Sequence, residues 1–270
     1  MLKSKLLSIS IAIIFLLLVA GLASAGLAVG GAILEKDIAP GEHLTHVIQV
    51  STRASDLPMD IKVEVMGYGQ SLDGTNIELN SSQDNGPYSA KSFLKVSLES
   101  FHLEPGEAKQ VMLEGDIPSD AKSGGRYALV NIHSLRMGNG TIGVILAVDV
   151  PIRLTINGSG TLDKGEIESL RLETPVPSKH LNLSLILNNT GNHHYRPQLE
   201  ATVKDKDGNL VANASTLLGY PLLPTYPRLF KLDIKPESNL KPGKYYVDAT
   251  VKTKDGSVLA TKEIQFEIKS

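Results

Sequence analysis

Cysteine and tryptophan are both absent from the 270 residues. The first absence excludes disulfides, thiolate metal sites and cysteine nucleophiles, so stability must come from core packing and backbone hydrogen bonding. The second, with aromatics at only 5%, argues against a lectin that grips sugars by ring stacking. Basic runs are missing too: 27 basic and 29 acidic side chains are interspersed to a net charge of −2. Nucleic acid, which needs a basic face, is therefore not expected as a partner. Beyond residue 25 no segment sustains helical apolar spacing, and no second apolar run is long enough to span a bilayer.

What the chain does have begins with an address. Lys3 and Lys5 precede an apolar stretch over residues 6–20, and Ala23-Ser24-Ala25 supplies the small residues that a leader peptidase reads. Residues 1–25 are read as a secretory signal peptide, which places the rest outside the cytoplasm, extracellular or at the cell surface. Membrane contact is expected only if the leader is retained as an anchor, because residues 6–22 approach spanning length. Loss of Lys3 and Lys5 with the leader takes the net charge from −2 to −4. About 245 residues remain, enough for two domains with separate cores.

Period-two alternation runs through that remainder. Leu181, Leu183, Leu185 and Leu187 alternate with Asn182, Ser184, Ile186 and Asn188, and Tyr245, Val247, Ala249 and Val251 alternate with polar neighbours. Ile61, Val63 and Val65, and then Leu94, Val96 and Leu98, follow the same rhythm of a strand with one wet face. Hairpin turns are marked by Asp73-Gly74, Asn139-Gly140, Asp207-Gly208 and Asp255-Gly256. A Pro-Gly turn feeding a strand recurs at Pro40-Gly41, Pro105-Gly106 and Pro242-Gly243, each read as type II. Pro151 divides the apolar stretch 144–156 and is expected at a sheet edge or a bulge, because proline cannot donate to a ladder. Asn157-Gly158-Ser159-Gly160-Thr161 is the linker candidate. The expected organisation is all-β: a signal peptide over 1–25, then tandem immunoglobulin-like antiparallel sandwiches over 26–160 and 161–270.

Motifs that resemble chemistry dissolve on inspection. Gly138-Asn139-Gly140-Thr141-Ile142-Gly143 matches the dinucleotide fingerprint, yet β-branched residues follow where a helix must begin, so a hairpin tip is expected. Asp205-Lys206-Asp207-Gly208-Asn209 resembles the front of a calcium loop, but Thr216 stands where the bidentate glutamate belongs. His193 and His194 are adjacent, and His43 and His46 are three apart on a strand, so neither pair aims both rings at one ion. No nucleophile elbow occurs, and carboxylates are scattered singly. No catalytic residue, metal or cofactor is assigned. Six N-x-S/T sequons at Asn80, Asn139, Asn157, Asn182, Asn188 and Asn213 exceed the roughly two that chance placement gives, which points to a glycoprotein where the source has the machinery; the alternative is that Asn, Ser and Thr are simply common in β-turns and on wet strand faces.

The order Phe101-His102-Leu103-Glu104-Pro105-Gly106-Glu107, Asp116-Ile117-Pro118, Ser123-Gly124-Gly125-Arg126-Tyr127-Ala128, together with Asn189-Thr190-Gly191-Asn192, Leu223-Pro224-Thr225-Tyr226-Pro227 and Leu240-Lys241-Pro242-Gly243-Lys244-Tyr245, resembles tandem immunoglobulin-like proteins of prokaryotic cell surfaces, most closely the WxL-interacting proteins. The resemblance implies a noncatalytic binding or scaffold protein at the cell envelope. Its partner would be an envelope or extracellular protein or polysaccharide, engaged through strand edges or end loops. The alternative is a chaperone-like envelope assembly factor, and after it a secreted carbohydrate-active enzyme. Tyr127 and Tyr245, each opening an alternating strand, are expected as core rings rather than ligand contacts.

Overall fold

The computed structural model describes residues 26–135, 144–158, 160–173 and 180–269. The leader, the Gly138 to Gly143 glycine motif and the Asn139 sequon lie outside the described residues. The described chain is all-β, two immunoglobulin-like sandwiches in series.

In the first sandwich one sheet runs β1 (Leu27–Gly30), β3 (His43–Thr52), β8 (Ala108–Asp116), β6 (Leu94–Val96). The facing sheet runs β2 (Leu34–Ile38), β10 (Ala147–Ile156), β9 (Gly124–Ser134), β4 (Met59–Gln70), β5 (Asn76–Leu79), with β7 (Ser100–Leu103) also on β4. The first strand switches sheets: β1 is antiparallel to β3, and after Gly31, held at φ 68°, β2 runs parallel to the second half of β10. Alternation drives the packing. Ile61 and Val63 on β4, Val130 and Ile132 on β9, and Val150, Ile152 and Leu154 on β10 point inward onto Ile48, Val111 and Leu113.

The second sandwich opposes β11 (Gly165–Leu172), β12 (Leu181–Asn189), β15 (Pro227–Ile234) to β14 (Leu210–Ser215), β13 (Gln198–Asp205), β16 (Gly243–Lys252), β17 (Val258–Ile268). The four leucines of β12 and Tyr245, Val247, Ala249 and Val251 of β16 are all buried in one core. At the sheet rim, Lys262 on β17 donates to the carbonyls of Ile167 and Glu168, each at 3.3 Å, where β11 carries a register shift. An inward-pointing lysine of this kind blocks further strand pairing.

The expected turns are present where described. Gly74, Gly208 and Gly256 have φ of 89°, 83° and 90°. Glu42 donates to Ala39 and Glu107 to Glu104, closing the first two Pro-Gly turns with Gly41 and Gly106 at 80° and 78°. The third copy differs: Gly243 sits at φ 153°, and the Lys241 carbonyl accepts instead from the Tyr245 hydroxyl at 2.8 Å. That bond is a tyrosine corner, in which the core ring itself ties down the approach to its strand. Leu98 falls outside β6 and is exposed.

Pro151 lies on an edge, without a bulge. The register of β10 on β9 is unbroken through Val150, Pro151 and Ile152. Ser134 donates to the Leu146 carbonyl and Asn157 donates to the Ile38 carbonyl of β2. Even-numbered residues therefore face β9 and odd-numbered ones face the other side. The missing N–H of Pro151 points away from β9, where it costs no ladder bond.

Candidate functional site

The outer face of the second sheet carries Tyr68 from β4, Tyr127 from β9 and Arg153 from β10, and the second sandwich covers this face. Tyr68, Tyr127, Leu129 and Leu223 form a small buried cluster between the sandwiches. Tyr127 stands edge-on to Tyr68 and to His194, at 6.4 Å and 5.6 Å between centroids. Tyr127 thus anchors the joint, not the sandwich core; Tyr245 is the core ring that alternation predicted. Strict inside-outside counting places residue 127 outward. A second layer of protein makes that outward position dry.

Polar side chains complete the joint. Glu35 of β2 accepts both guanidinium arms of Arg196 at 2.8 and 2.7 Å and Arg153 Nε at 3.1 Å. Arg153 also donates to the Tyr68 hydroxyl at 3.3 Å. His194 Nε2 lies 3.5 Å from Glu35, and its Nδ1 is 3.3 Å from the Tyr127 hydroxyl. With Nε2 protonated toward Glu35, Nδ1 accepts from the tyrosine. Gln70 works as a surrogate strand: its amide donates to the Pro221 carbonyl and accepts from Leu223 N–H, both at 2.9 Å. Leu229 of β15 donates to the Leu72 carbonyl at 2.8 Å, and Gly125 to Asn192 at 2.7 Å. Thr225, at φ 69°, adopts a left-handed conformation that costs a threonine about 1 kcal/mol or more, and the tight turn it completes presents Leu223 and Tyr226 to the cluster.

Two titrations are displaced by this setting. The Arg196 hydrogen bonds hold the Glu35 carboxyl down to about 2, with His194 and Arg153 adding to the effect against partial burial. Burial pushes the His194 imidazole down to about 4, against the pull of Glu35. Burial likewise raises the Tyr127 phenol.

Beside the joint lies a groove of about 460 Å³ bounded by Ile33, Tyr68, Asp149, Pro151, Arg153 and Tyr220 among others. Ile33 and Tyr220 stand 61% and 81% exposed on its rim. Asp149 and Pro151 from the first half of β10 form part of its wall. Since β2 pairs only with Ile152 to Ile156, no strand among the described residues pairs with the outer side of Ala147 to Pro151. By the alternation above, the outward N–H and C=O of Ala147 and Asp149 have no strand partner among the described residues, and Asp149 lines the groove.

The residues singled out from the sequence scatter. Asn80, Asn157, Asn182 and Asn213 are exposed, while Asn188 is half-buried and donates to Glu168. Asn213 lies within β14. None of these five lines the groove. His193 and His194 part company, one to Asp163 at 3.2 Å and the other to Glu35. His43 meets Asp116, and His46 the Gly31 carbonyl. Asp205 spends its carboxylate on the backbone of Asp207 and Asn209, closing the β13–β14 hairpin. Among the described residues no three metal-ligating side chains gather. The joint itself is unmarked in the sequence: Arg153, like Asp149, only interrupts the apolar stretch 144–156 with a charge.

No family model and no curated protein matches the chain. Among solved structures it is similar to the class 5 fimbriae chaperone CfaA, at 13% identity and a TM-score of 0.42, over 91% of this chain and 100% of that one. Similar too are the CupB2 chaperone of Pseudomonas aeruginosa, at 10% identity and 0.39 over 89% and 100%, and the E. coli chaperone DraB, at 13% and 0.36 over 90% and 98%.

Proposed function

We propose that this protein is an exported, noncatalytic binding protein of the cell envelope that acts in a chaperone-like manner, holding an extended segment of another envelope protein against the free half of β10. One observation carries the reading: an unpaired stretch of strand edge opens onto a groove with apolar residues on its rim. Main-chain hydrogen bonds of an added strand supply affinity there, and side chains entering the groove supply selectivity. Two outward-facing residues offer about four hydrogen bonds worth roughly 1 kcal/mol net each. Capture of that strength is reversible, which suits temporary holding during assembly better than permanent adhesion. Domain limits near residue 160, an exported location and glycans on the exposed sequons belong to the same proposal.

The test places a photo-crosslinking residue at Ala147, with a control at Asn213 on the β14 edge, in the native envelope. A discrete envelope protein should crosslink from 147 alone and vanish in the D149P variant. Proline is tolerable at that outward position, as Pro151 demonstrates two residues on, so the circular dichroism spectrum should not change. Equal crosslinking from both edges, or crosslinking indifferent to D149P, refutes edge capture.

A further inference from the structure

The register of the first strand has a bearing on the leader. Leu27 pairs with Thr52, so Gly26 stands opposite Arg53 at the mouth of the turn that joins β3 to β4. Arg53 N–H donates to Asp56 Oδ2 at 2.6 Å, and Asp56 N–H returns a bond to the Arg53 carbonyl. The turn thereby folds the Asp56 side chain back against the start of β1. A Cβ placed on Gly26 would lie 3.4 Å from Asp56 Oδ2 and 3.3 Å from Arg53 Nε. Asp56 is 5% exposed, and its other oxygen, Oδ1, is buried with no hydrogen-bond partner among the described residues. A buried carboxylate oxygen without a donor is a costly feature that native structures seldom leave unmet.

The small-residue signal Ala23-Ser24-Ala25 places the expected leader cut directly before Gly26. We propose that Asp56 is the docking site for the amino terminus released by that cut. Hydrolysis by a leader peptidase breaks the Ala25–Gly26 C–N bond. Water supplies the hydroxyl that leaves with Ala25 as its carboxyl group and a hydrogen to the Gly26 nitrogen, and the resulting amine takes a further proton from solvent. An uncharged amide becomes an α-ammonium with three donors, one residue before β1 begins. Ion-paired to Asp56, it pins β1 to β3 and draws Leu27 and Val29 onto the core they border. The uncut precursor lacks this charge, so its first edge strand is held less firmly until export is complete. The proposal rests on the leader reading and is independent of the groove.

Intact mass of the natural exported product comes first: a chain starting at Gly26 is expected, and any other start overturns the proposal. The mature chain is then compared with its Nα-acetylated form, each with and without D56N. The Gly26 α-amino group, followed by NMR, should titrate at least one pH unit above its ordinary range of about 7.7–8.0 in the mature chain. D56N should return it to that range. D56N should also speed amide exchange in β1 at least tenfold in the free-terminus chain and not in the acetylated one, while R53Q leaves the α-amino titration raised. An ordinary α-amino titration, or an equal D56N effect with and without acetylation, overturns the proposal. A raised titration that R53Q abolishes and D56N does not would overturn it as well.

Discussion

Acid should loosen the joint through His194, and the size of the effect follows from its surroundings. The imidazole is buried between Tyr127 and Glu35, and its pKa falls from 6.5 to about 4 on folding. Below pH 6.5 the unfolded chain binds a proton that the folded chain refuses until about pH 4. Stability is therefore lost as pH falls through that window. Integrated from pH 7 to 4.5, the loss is about 2 kcal/mol. Glu35 acts in the same direction, but its stabilisation disappears only between pH 4.5 and about 2, so it adds little above 4.5. His102, raised by Asp60, works oppositely and partly masks the effect in the wild-type curve. H194Q isolates the contribution, because glutamine can still bond Tyr127 and does not titrate. Urea midpoints followed by far-UV circular dichroism at pH 7, 5.5 and 4.5 should show the variant losing about 2 kcal/mol less than wild type. Parallel curves would refute the assignment of the window to His194.

Two further substitutions test the joint and the second core. Q70L should leave the Leu223 N–H without an acceptor, at a cost of about 1–3 kcal/mol, with faster amide exchange at Leu223 and an unchanged rate on β12. Y245F keeps the ring stacked on Phe266, 5.3 Å between centroids, and removes only the hydroxyl bond to Lys241. A loss of about 1 kcal/mol in the urea midpoint is expected, and a neutral result would deny the tyrosine corner a part in stability.

The fold was legible where local rules and tertiary context agree. Every leucine of β12 that alternation placed inward is buried, because a strand with one wet face leaves its residues no other choice. The described Asx-Gly turns follow for the same local reason, since each glycine supplies a positive φ that its neighbours resist. Local rules failed where a longer contact took over. Gly243 abandons the type II geometry because a hydroxyl from β16 competes for the Lys241 carbonyl. Val96 closes β6 before Leu98, where the chain turns away and Ser97 takes the last bond, to Met112.

The joint and its groove were not legible, and the reason is physical. Glu35, Gln70, Arg153, His194 and Arg196 each sit where a single sandwich would present a polar residue to water, so each satisfies the pattern of an ordinary wet face. Their meaning depends on the two sandwiches coming together, which joins Glu35 to Arg196 and Gln70 to Leu223, 161 and 153 residues apart in sequence. Once covered, a charged group is tolerable only with its partners in place: removing the Glu35 carboxylate would strand Arg153, 5% exposed, without the anion that it shares with Arg196. A purely apolar joint can slide with little penalty, whereas directional bonds at Gln70 and Glu35 are broken by small shifts. The groove walls, one from each sandwich, are thereby held at a set spacing beside β10. Preorganisation of that kind reduces the ordering cost of binding, which is what the proposed capture of a strand on so short a free edge requires.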